Sequence, residues 1–392
     1  MLLLHKYTFI ILFLITSALC NVRISTRKRS AFSIKQSISE KISSVEKPSV
    51  KNKNPRISFS KTSEITNFAS NLFRCPAYKT EIECKDKTSE FKNKILSELT
   101  KSMTRSGDER SGFNVDYSMH KRNSSNAMSM LIKTRVKTLR RKDAPFNVHR
   151  LGELFPKKKL FFKTKGKTCV IVSSAGSLVG SNLGEFINSH DIVMRFNHAP
   201  TLGFENDVGN KTTIRIVNSQ VVSKPEFNFL ESSLFKNISL LGWDPADINA
   251  TLEDWLKKPD FDLFTNYEKF MLQNPSADFH IADPRSLWDL HSILQEYAKV
   301  PIIKNIPSSG FLGIAILLPV CSQLDIVEYI PSTRLNGRCH YYSEDINISC
   351  TFGAWHPLAT EKLFAYSINT ADDFTVFQKG ILKIKLNKSK NN

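Results

Sequence analysis

The residues of this 392-residue chain whose types suggest chemistry lie mostly in its second half. Ser308, Ser309 and Gly310 stand directly before an apolar stretch that has the length of a helix. The first backbone N–H groups of a helix lack partners within it, so such a start can bind a phosphate, and serine hydroxyls can add hydrogen bonds. The same residues are typical of an ordinary helix cap, and taken alone the pattern favours that interpretation.

A second cluster, from Cys339 to His356, contains two histidines and two tyrosines close to a pair of cysteines. Histidine can remove a proton from a hydroxyl group near neutral pH because its ordinary pKa lies in that range. A single histidine beside a tryptophan is more often structural. Here His340 and His356 share a domain with a candidate anion site, so a functional role is as well supported as a structural one.

Two further patterns, a serine turn and an acidic tripeptide, are less specific. Ser173 and Ser174 follow a buried-strand run, at the strand end where open α/β sheets bind ligands. The nearby Gly176 is equally well explained by a packed turn, and its spacing to the next glycines does not match a dinucleotide fingerprint. Asp260-Phe261-Asp262 has the form by which nucleotide-sugar enzymes hold a divalent metal, but the tripeptide is common by chance.

Strands and helices alternate around these residues in the pattern of βα units. Short apolar runs predict buried strands, and apolar residues at helical spacing predict the helices between them. Pro319 falls inside the last predicted helix, where it requires a kink or costs stability. The alternation indicates an α/β fold with a Rossmann-like, mainly parallel sheet flanked by helices. The predicted strands are 169–172, 191–197 and 325–330, and the predicted helices are 91–103, 128–141, 178–189 and 311–324.

Basic residues are concentrated in the first part of the chain. The formal net charge is +18, and residues 1–168 hold 36 basic and 13 acidic residues, whereas residues 169–392 hold 19 and 24. A nucleic-acid-binding domain would carry such charge on folded, aromatic-bearing structure. Because the excess lies where apolar periodicity is poor, it indicates a solvated basic tether and no nucleic-acid partner.

The N-terminus contains an apolar run that is able to enter a membrane. It is interpreted either as a signal anchor or as a cleaved signal peptide, with Ala18 and Cys20 near the cleavage position. Both interpretations place the rest of the chain in the secretory lumen. The expected division is a cytosolic tail (1–6), a transmembrane signal anchor (7–22), a basic stem of low order (23–89) and a single luminal catalytic domain (90–392).

Glycosylation sequons and cysteines agree with a luminal location. Six Asn-x-Ser/Thr sequons are present, and six cysteines remain when Cys20 is set aside. An even number of cysteines in an oxidising compartment predicts disulfides, although the sequence by itself leaves their pairing open. The spacing of cysteines and histidines does not suggest zinc. The sequons begin at Asn123, Asn210, Asn237, Asn249, Asn347 and Asn387.

Four segments, in order along the chain, resemble the four sialyl motifs of animal sialyltransferases. They are the large motif at 169–220, the small motif at 307–321, the third motif at 340–343 and the very small motif, a histidine followed by a glutamate, at 356–361. The segment Gly242-Trp-Asp-Pro245 is most similar to the β-galactoside α-2,6 subgroup. The resemblance extends over residues 110–380 and implies a variant of the GT-A glycosyltransferase fold.

The resemblance implies a binding site for CMP-sialic acid, the sugar-nucleotide donor of the family. His356 matches the catalytic base, which removes the proton of the acceptor hydroxyl. His340 and Ser343 depart from the α-2,6 enzymes, which have tyrosine and glutamine at these positions. The matching donor-binding residues are Ser174, Asn197, Asn218, Ser308, Ser309, Gly310, His340, Tyr341 and Lys362.

The resemblance also implies how the acceptor is bound. Asp260-Phe261-Asp262 becomes an acceptor loop instead of a metal site, and neither a metal nor another cofactor is expected. The matching acceptor-binding residues are Gln220, Asp260 and Trp355. The expected disulfides are Cys169–Cys321, Cys339–Cys350 and Cys75–Cys84.

These inferences predict a Golgi, single-pass type II membrane enzyme with its catalytic domain in the lumen. It is expected to transfer sialic acid from CMP-sialic acid to the 6-hydroxyl of terminal β-galactose on glycoprotein glycans. The transfer would invert the anomeric centre, with His356 as general base. Two alternatives stay open: the same donor with a GalNAc-terminated acceptor, and an inactive luminal protein that binds nucleotide sugars or acts as a lectin.

Overall fold

The structure is a computed structural model that describes residues 73–75, 80–104, 127–160, 166–298, 300–302, 306–353 and 355–385. The expected tail, the expected anchor and most of the expected stem lie outside these residues, as do Cys20, Asn123 and Asn387. Among the residues described, no helix combines the length and the apolar character needed to cross a membrane.

In the described part of the chain, seven strands form one sheet in the order β5-β4-β3-β2-β1-β6-β7. Neighbouring strands are parallel except β6 and β7, which are antiparallel. The strands are β1 (Thr168–Val172), β2 (Ile192–Phe196), β3 (Ile214–Asn218), β4 (Ser239–Trp243), β5 (Phe279–Ile281), β6 (Gln323–Val327) and β7 (Ile381–Ile384). The mainly parallel sheet predicted from the alternating units is therefore confirmed.

The helices lie before, between and after these strands, and several are single turns. They are α1 (Glu81–Thr104), α2 (Ala127–Lys133), α3 (Gly184–Asn188), α4 (Glu205–Val208), α5 (Ser219–Ser223), α6 (Leu252–Lys257), α7 (Leu263–Gln273), α8 (Arg285–Ala298), α9 (Ser309–Leu317), α10 (Ser349–Phe352), α11 (Leu358–Ser367) and α12 (Asp373–Phe377). Short 3₁₀ turns at Arg150–Leu154, Gly176–Leu178, Pro225–Phe227 and Ser233–Phe235 join some of them.

Both faces of the sheet are covered, as the continuous apolar character of the central strands requires. Successive residues of β1 point to opposite faces. Cys169 and Ile171 enter one core cluster, together with Phe311 of α9. Val170 and Val172 enter another, on the far side of the sheet. A strand with a polar face could not occupy this central position.

The strand order reverses at β1, and this reversal determines where a ligand can bind. The chain runs outward from β1 through β2, β3 and β4 to β5, and then returns to place β6 on the other side of β1. Open α/β sheets form a crevice at such a reversal, outside the carboxyl ends of the strands. Ser173, Asn197, Asn218 and Glu328 lie at or directly after the ends of β1, β2, β3 and β6.

The first described helix begins before the predicted one and within the expected stem. The Glu83 amide donates to Thr80 Oγ1 and the Thr80 amide donates to Glu83 Oε2, which is the reciprocal capping pattern of a helix start. Phe91, Ile95 and Leu99, four residues apart, are fully buried in the core. The expected domain boundary at 89/90 therefore falls inside α1.

Three other predicted helices are shorter than expected. The predicted helix 128–141 ends at Lys133, because the following residues pair with the sheet edge: the Leu139 amide donates to the Ile281 carbonyl at 2.9 Å. The predicted helix 178–189 is a 3₁₀ turn followed by α3. The predicted helix 311–324 ends at Leu317, ahead of Pro319, since an interior proline would break the hydrogen-bond ladder.

Two of the three expected disulfides are present. Cys169 bonds Cys321 across 152 residues of sequence, and Cys339 bonds Cys350 across 11. The expected third pair is not formed, since Cys75 and Cys84 are free cysteines. Their side chains are hydrogen-bonded instead, and burial together with the neighbouring Cys84 raises the pKa of the Cys75 thiol to about 11.

Removing the long-range disulfide should destabilise the fold. Replacing Cys169 and Cys321 together by alanine releases a constraint on the unfolded chain and is expected to lower the free energy of unfolding by about 2–4 kcal/mol, as urea denaturation would measure. The matched control replaces Cys75 and Cys84 by alanine and should change it by less than about 1 kcal/mol. Equal losses in the two double variants would contradict the assignment of free thiols.

Candidate functional site

A cavity of about 240 Å³ opens at the carboxyl ends of the central strands. Its walls come from the turn after β1, the ends of β2, β3 and β4, the start of α9, the segment after β6 and the segment that precedes α11. The expected site residues that line it are Ser174, Asn197, Asn218, Ser308, Ser309, Gly310, His340, His356 and Lys362. Segments far apart in sequence thus meet at the strand-order reversal.

The start of α9 forms one wall of the cavity. Ser308 is the N-cap, and its Oγ accepts a hydrogen bond from the Phe311 amide at 3.3 Å. The next amides, at the first turn, have no partners within a helix and so remain available to an anion. A side chain at Gly310 would bring its Cβ within 2.8 Å of the Tyr329 ring, so only glycine allows this close approach.

Glu361 holds the α9 start from behind. Its carboxylate accepts hydrogen bonds from the Ser308 amide at 2.7 Å, from Ser308 Oγ at 2.6 Å and from the Tyr329 hydroxyl at 3.0 Å. The Glu361 side chain is fully buried. Burial and this carboxylate raise the pKa of Tyr329 well above its usual value, so its hydroxyl keeps its proton and donates.

Two asparagines at the ends of neighbouring strands present amide groups to the cavity. Asn197 Oδ1 accepts from the Asn218 amide at 3.1 Å, and Asn218 Oδ1 accepts from the Val221 amide at 3.0 Å. With both oxygens used, the Nδ2 groups are left as donors toward a ligand, an orientation assigned from this network. Asn197 has a φ of 49°, a left-handed conformation that asparagine tolerates better than most residues.

Two buried arginines lie behind the wall that carries Asn197. Arg215 donates to the carbonyls of Asn197 at 2.8 Å and Ala199 at 3.0 Å. Arg195 donates to the Lys211 carbonyl at 3.0 Å. Burial lowers the pKa of each guanidinium to about 10, so both remain charged at neutral pH. Neither has a carboxylate partner among the described residues, and their charge therefore favours an anion nearby.

His356 is oriented by one hydrogen bond. Its Nδ1 lies 2.8 Å from the Ile306 carbonyl oxygen. Because a carbonyl oxygen only accepts, Nδ1 must carry the proton and Nε2 keeps a lone pair. The ring also lies 6.2 Å from the ring of Trp243. In the tautomer that this hydrogen bond selects, Nε2 is the ring nitrogen that can accept a proton from a hydroxyl group.

His340 and Lys362 also line the cavity, the first as an uncharged ring and the second as an ammonium group. His340 stacks on Tyr342 with ring centroids 5.0 Å apart, and burial lowers its pKa, so at neutral pH it is uncharged and one ring nitrogen can donate a hydrogen bond. Burial lowers the pKa of Lys362 to about 8, partly opposed by the charges of Glu361 and Glu328. Its ammonium group donates to the Tyr329 carbonyl.

Comparison with known proteins gives the family of this chain. The family model for glycosyltransferase family 29, the sialyltransferases, matches residues 118–372. The chain belongs to this family. The family resemblance inferred from the four sialyl motifs is confirmed.

Curated relatives give a more detailed comparison. The beta-galactoside alpha-2,6-sialyltransferase 2 of Homo sapiens is 45% identical over 250 residues, which cover 63% of this chain and 47% of the relative. The proteins of the same name from Pan troglodytes and Xenopus tropicalis are 45% and 44% identical over 250 residues. The chain spans about half the length of these relatives.

A solved structure entitled as that of a mammalian sialyltransferase also aligns with the chain. The TM-score is 0.39 at 18% sequence identity, and the alignment covers 69% of this chain and 91% of the solved one.

Four expected site residues do not line the cavity. Tyr341 is buried and its hydroxyl donates to the Pro200 carbonyl, so it supports the wall instead of facing a ligand there. Gln220 follows Asn218 on α5. Asp260 lies on an exposed loop, and Trp355 is 62% exposed. These last three positions stay predictions for acceptor binding at the rim.

Trp243 lines the cavity but was not predicted as a site residue from the sequence. Its indole lines the cavity and donates from Nε1 to Ser309 Oγ at 2.8 Å. The residue stood within the segment Gly242-Trp-Asp-Pro245, which was used only to choose a subgroup. Its position at the end of a strand was the available signal, since strand ends at a strand-order reversal face the ligand crevice.

In the acidic tripeptide Asp260-Phe261-Asp262, the last carboxylate caps a helix. Asp262 caps α7, and its Oδ1 accepts from the Thr265 amide at 3.1 Å. Across the described residues, no group of three or more His, Cys, Asp or Glu side chains is arranged to hold a metal ion.

Four of the six sequons can be placed on the structure. Each of their asparagines is exposed, as attachment of a glycan requires. They are Asn210, Asn237, Asn249 and Asn347. Their occupancy stays a prediction.

Removing the Glu361 carboxylate should destabilise the protein more than removing one of its donors. Glu361→Ala leaves three donors without their acceptor, at roughly 1–3 kcal/mol for each that stays buried, and should lower the free energy of unfolding by at least about 3 kcal/mol. Tyr329→Phe removes one donor and should cost about 1 kcal/mol. Urea denaturation of both variants checks the order, and a Tyr329→Phe loss as large as that of Glu361→Ala would contradict it.

Proposed function

We propose that this chain transfers sialic acid from CMP-sialic acid to the 6-hydroxyl of terminal β-galactose on glycoprotein glycans. The observation that carries the proposal is the cavity itself, in which nine of the residues matched to the sialyl motifs meet around a helix start. The relatives named beta-galactoside alpha-2,6-sialyltransferase 2 support the choice of galactose and of the 6-hydroxyl.

The donor is held through its phosphate and its nucleotide. Its phosphate would accept hydrogen bonds from the first amides of α9 and from the Ser309 hydroxyl, where the helix dipole favours negative charge. The Nδ2 groups of Asn197 and Asn218 donate to the nucleotide. Arg215, hydrogen-bonded to the Asn197 carbonyl, adds positive potential from behind the wall.

The transfer step is a single displacement with His356 as general base. The acceptor oxygen forms a bond to the anomeric carbon of sialic acid, and its proton passes to His356 Nε2. The bond between the anomeric carbon and the phosphate oxygen breaks, and CMP leaves with the electron pair. Attack from the face opposite CMP inverts the anomeric centre. The α9 amides and His340 stabilise the charge that develops on the leaving phosphate.

The acceptor would lie on the open side of the cavity. Gln220 on α5, Asp260 on the loop between α6 and α7, and the exposed ring of Trp355 can offer hydrogen bonds and an aromatic surface to a sugar. His340 and Ser343, which depart from the α-2,6 enzymes, lie in the third motif.

We also place the active enzyme in the Golgi lumen, as a type II membrane protein that works without a metal. Exposed sequons and two disulfides support an oxidising, glycosylating compartment. Asp262 serves as a helix cap, which supports an acceptor loop in place of a metal site.

A transfer assay tests the proposal. The full-length chain is incubated with CMP-sialic acid and a panel of galactose-terminated and GalNAc-terminated disaccharides, with and without excess EDTA. Transfer to the galactose 6-hydroxyl, identified by NMR of the product, is expected at the same rate in both conditions. Transfer to GalNAc alone, loss of the activity in EDTA with rescue by manganese, or binding of CMP without transfer would each contradict a named part of the proposal.

Replacing the base separates chemistry from binding. His356→Ala should lower kcat by on the order of 10² or more and leave CMP affinity within about twofold, because the base acts only as the proton moves. His149→Ala, an exposed histidine outside the cavity, is the matched control and should keep full activity. A His356→Ala protein with a lower Tm but normal activity per folded molecule would show that the residue is structural.

A further inference from the structure

Asp244, directly after β4, is a buried carboxylate surrounded by hydrogen-bond donors. Its Oδ2 accepts from Trp255 Nε1 at 2.8 Å and from the Asp260 amide at 3.0 Å. Its Oδ1 accepts from the Phe261 amide at 3.3 Å, and the Ser219 side chain is a further partner. No surface of Asp244 is exposed, so each of these bonds forms away from water.

No cation compensates the Asp244 carboxylate among the residues that the structure describes. Burial raises its pKa to about 6, while the four donors oppose that rise. A buried, unpaired carboxylate is a costly way to hold a fold together, and an apolar residue of similar size would often serve stability as well. The feature that only the carboxylate provides is a set of acceptors with fixed positions.

Three of the four donors of Asp244 come from α6 and the loop after it, the segment to which the proposed function assigns an acceptor contact. Trp255 belongs to α6, and the amides of Asp260 and Phe261 belong to the loop between α6 and α7. The Phe261 ring also has a cation neighbour, Lys224, whose ammonium group lies 5.3 Å from the ring centroid. Two adjacent amides bound to one carboxylate fix both the position and the direction of the backbone that carries the Asp260 side chain.

Trp243, the residue before Asp244, points to the opposite face of the sheet and reaches the cavity. Successive side chains at a strand end alternate in direction. Trp243 donates to Ser309 Oγ at the start of α9, whereas Asp244 binds the loop. Two consecutive residues at the end of β4 therefore set the distance between the donor wall and the acceptor loop.

We propose that Asp244 is a positioning residue, which holds the Asp260 loop at the place where the acceptor sugar binds. This inference rests on the proposed function, because it assigns Asp260 to the acceptor. It adds a residue outside the cavity whose effect is on the acceptor and not on the donor. The carboxylate acts through the loop backbone and does not itself touch a substrate.

The test compares Asp244→Asn with two other variants of the full chain. Asparagine has the same shape but replaces one acceptor oxygen by a donor, which repels an N–H group that the carboxylate binds. Asp260→Asn changes the side chain of the loop without changing its backbone bonds. Asp254→Asn is the matched control, since this exposed aspartate belongs only to the capping box of α6.

Two measurements are made on each variant: the KM for acceptor and for donor, and the hydrogen exchange rates of the Asp260 and Phe261 amides. Asp244→Asn should raise the acceptor KM by about tenfold, leave the donor KM within about twofold and accelerate exchange of both amides. Asp260→Asn should raise the acceptor KM with unchanged exchange. Asp254→Asn should leave the KM values unchanged.

The outcomes distinguish this inference from the proposed function. A wild-type chain without transfer activity on any acceptor would refute the proposed function, and exchange rates would still report whether Asp244 holds the loop. Donor and acceptor KM values that rise together in Asp244→Asn would overturn the positioning role, because they indicate general loss of structure. Faster exchange with an unchanged acceptor KM would overturn it too, since the loop position would then not matter to the acceptor.

Discussion

The hydrogen bonds between Ser308 and Glu361 are the interaction on which the site depends. They join segments 53 residues apart and fix the cap of α9 against a buried carboxylate. Tyr329, two residues beyond the end of β6, donates to the same carboxylate. Because one acceptor joins a helix start, the segment after β6 and the helix that follows His356, the first amides of α9 and the His356 ring keep a fixed relation. A site assembled from three mobile segments would lose this preorganisation.

The end of β4 provides a second fixed relation, between the start of α9 and the loop that carries Asp260. Trp243 contacts Ser309 and lies beside His356, while Asp244 holds the loop of Asp260. The sheet is rigid because its strands are buried on both faces and paired along their length. A displacement of β4 would therefore move the α9 start and the Asp260 loop together, which in the proposed function keeps donor and acceptor aligned.

The sequence identified those features whose signal is local. β1 and β2 follow from runs of valine and isoleucine, and the cap at Ser308 from residue types typical of helix starts. β5, with three residues, and the extended segment that pairs with it carry no such signal, because their pairing depends on contacts made far along the chain. The predicted strand 325–330 begins two residues late for the same reason, since the register with β1 determines where pairing starts.

The site shows the same division between local and long-range information. Histidines, serines and asparagines could be selected by type and motif, and most of them line one cavity. The roles of Trp243 and Asp244 could not be predicted in this way. Their partners, Ser309 and Asp260, are 66 and 16 residues away in sequence, and the contacts depend on the alternation of side chains at a strand end. Tyr341 is the opposite case. The family resemblance predicted a ligand contact, but its hydroxyl donates to the Pro200 carbonyl.

Electrostatics explains why so polar a site is stable without a ligand and still favours one. Lys362 and the buried arginines Arg195 and Arg215 keep their charge at neutral pH, although burial lowers the pKa of each. Lys362 lies near the carboxylates of Glu361 and Glu328, whereas the two arginines donate to carbonyl oxygens, which supply no full negative charge. An anion in the cavity supplies it. In the proposed transfer, a departing phosphate carries more negative charge than a bound one, so the same cations would stabilise the transition state more than the ground state, which is the condition for catalysis.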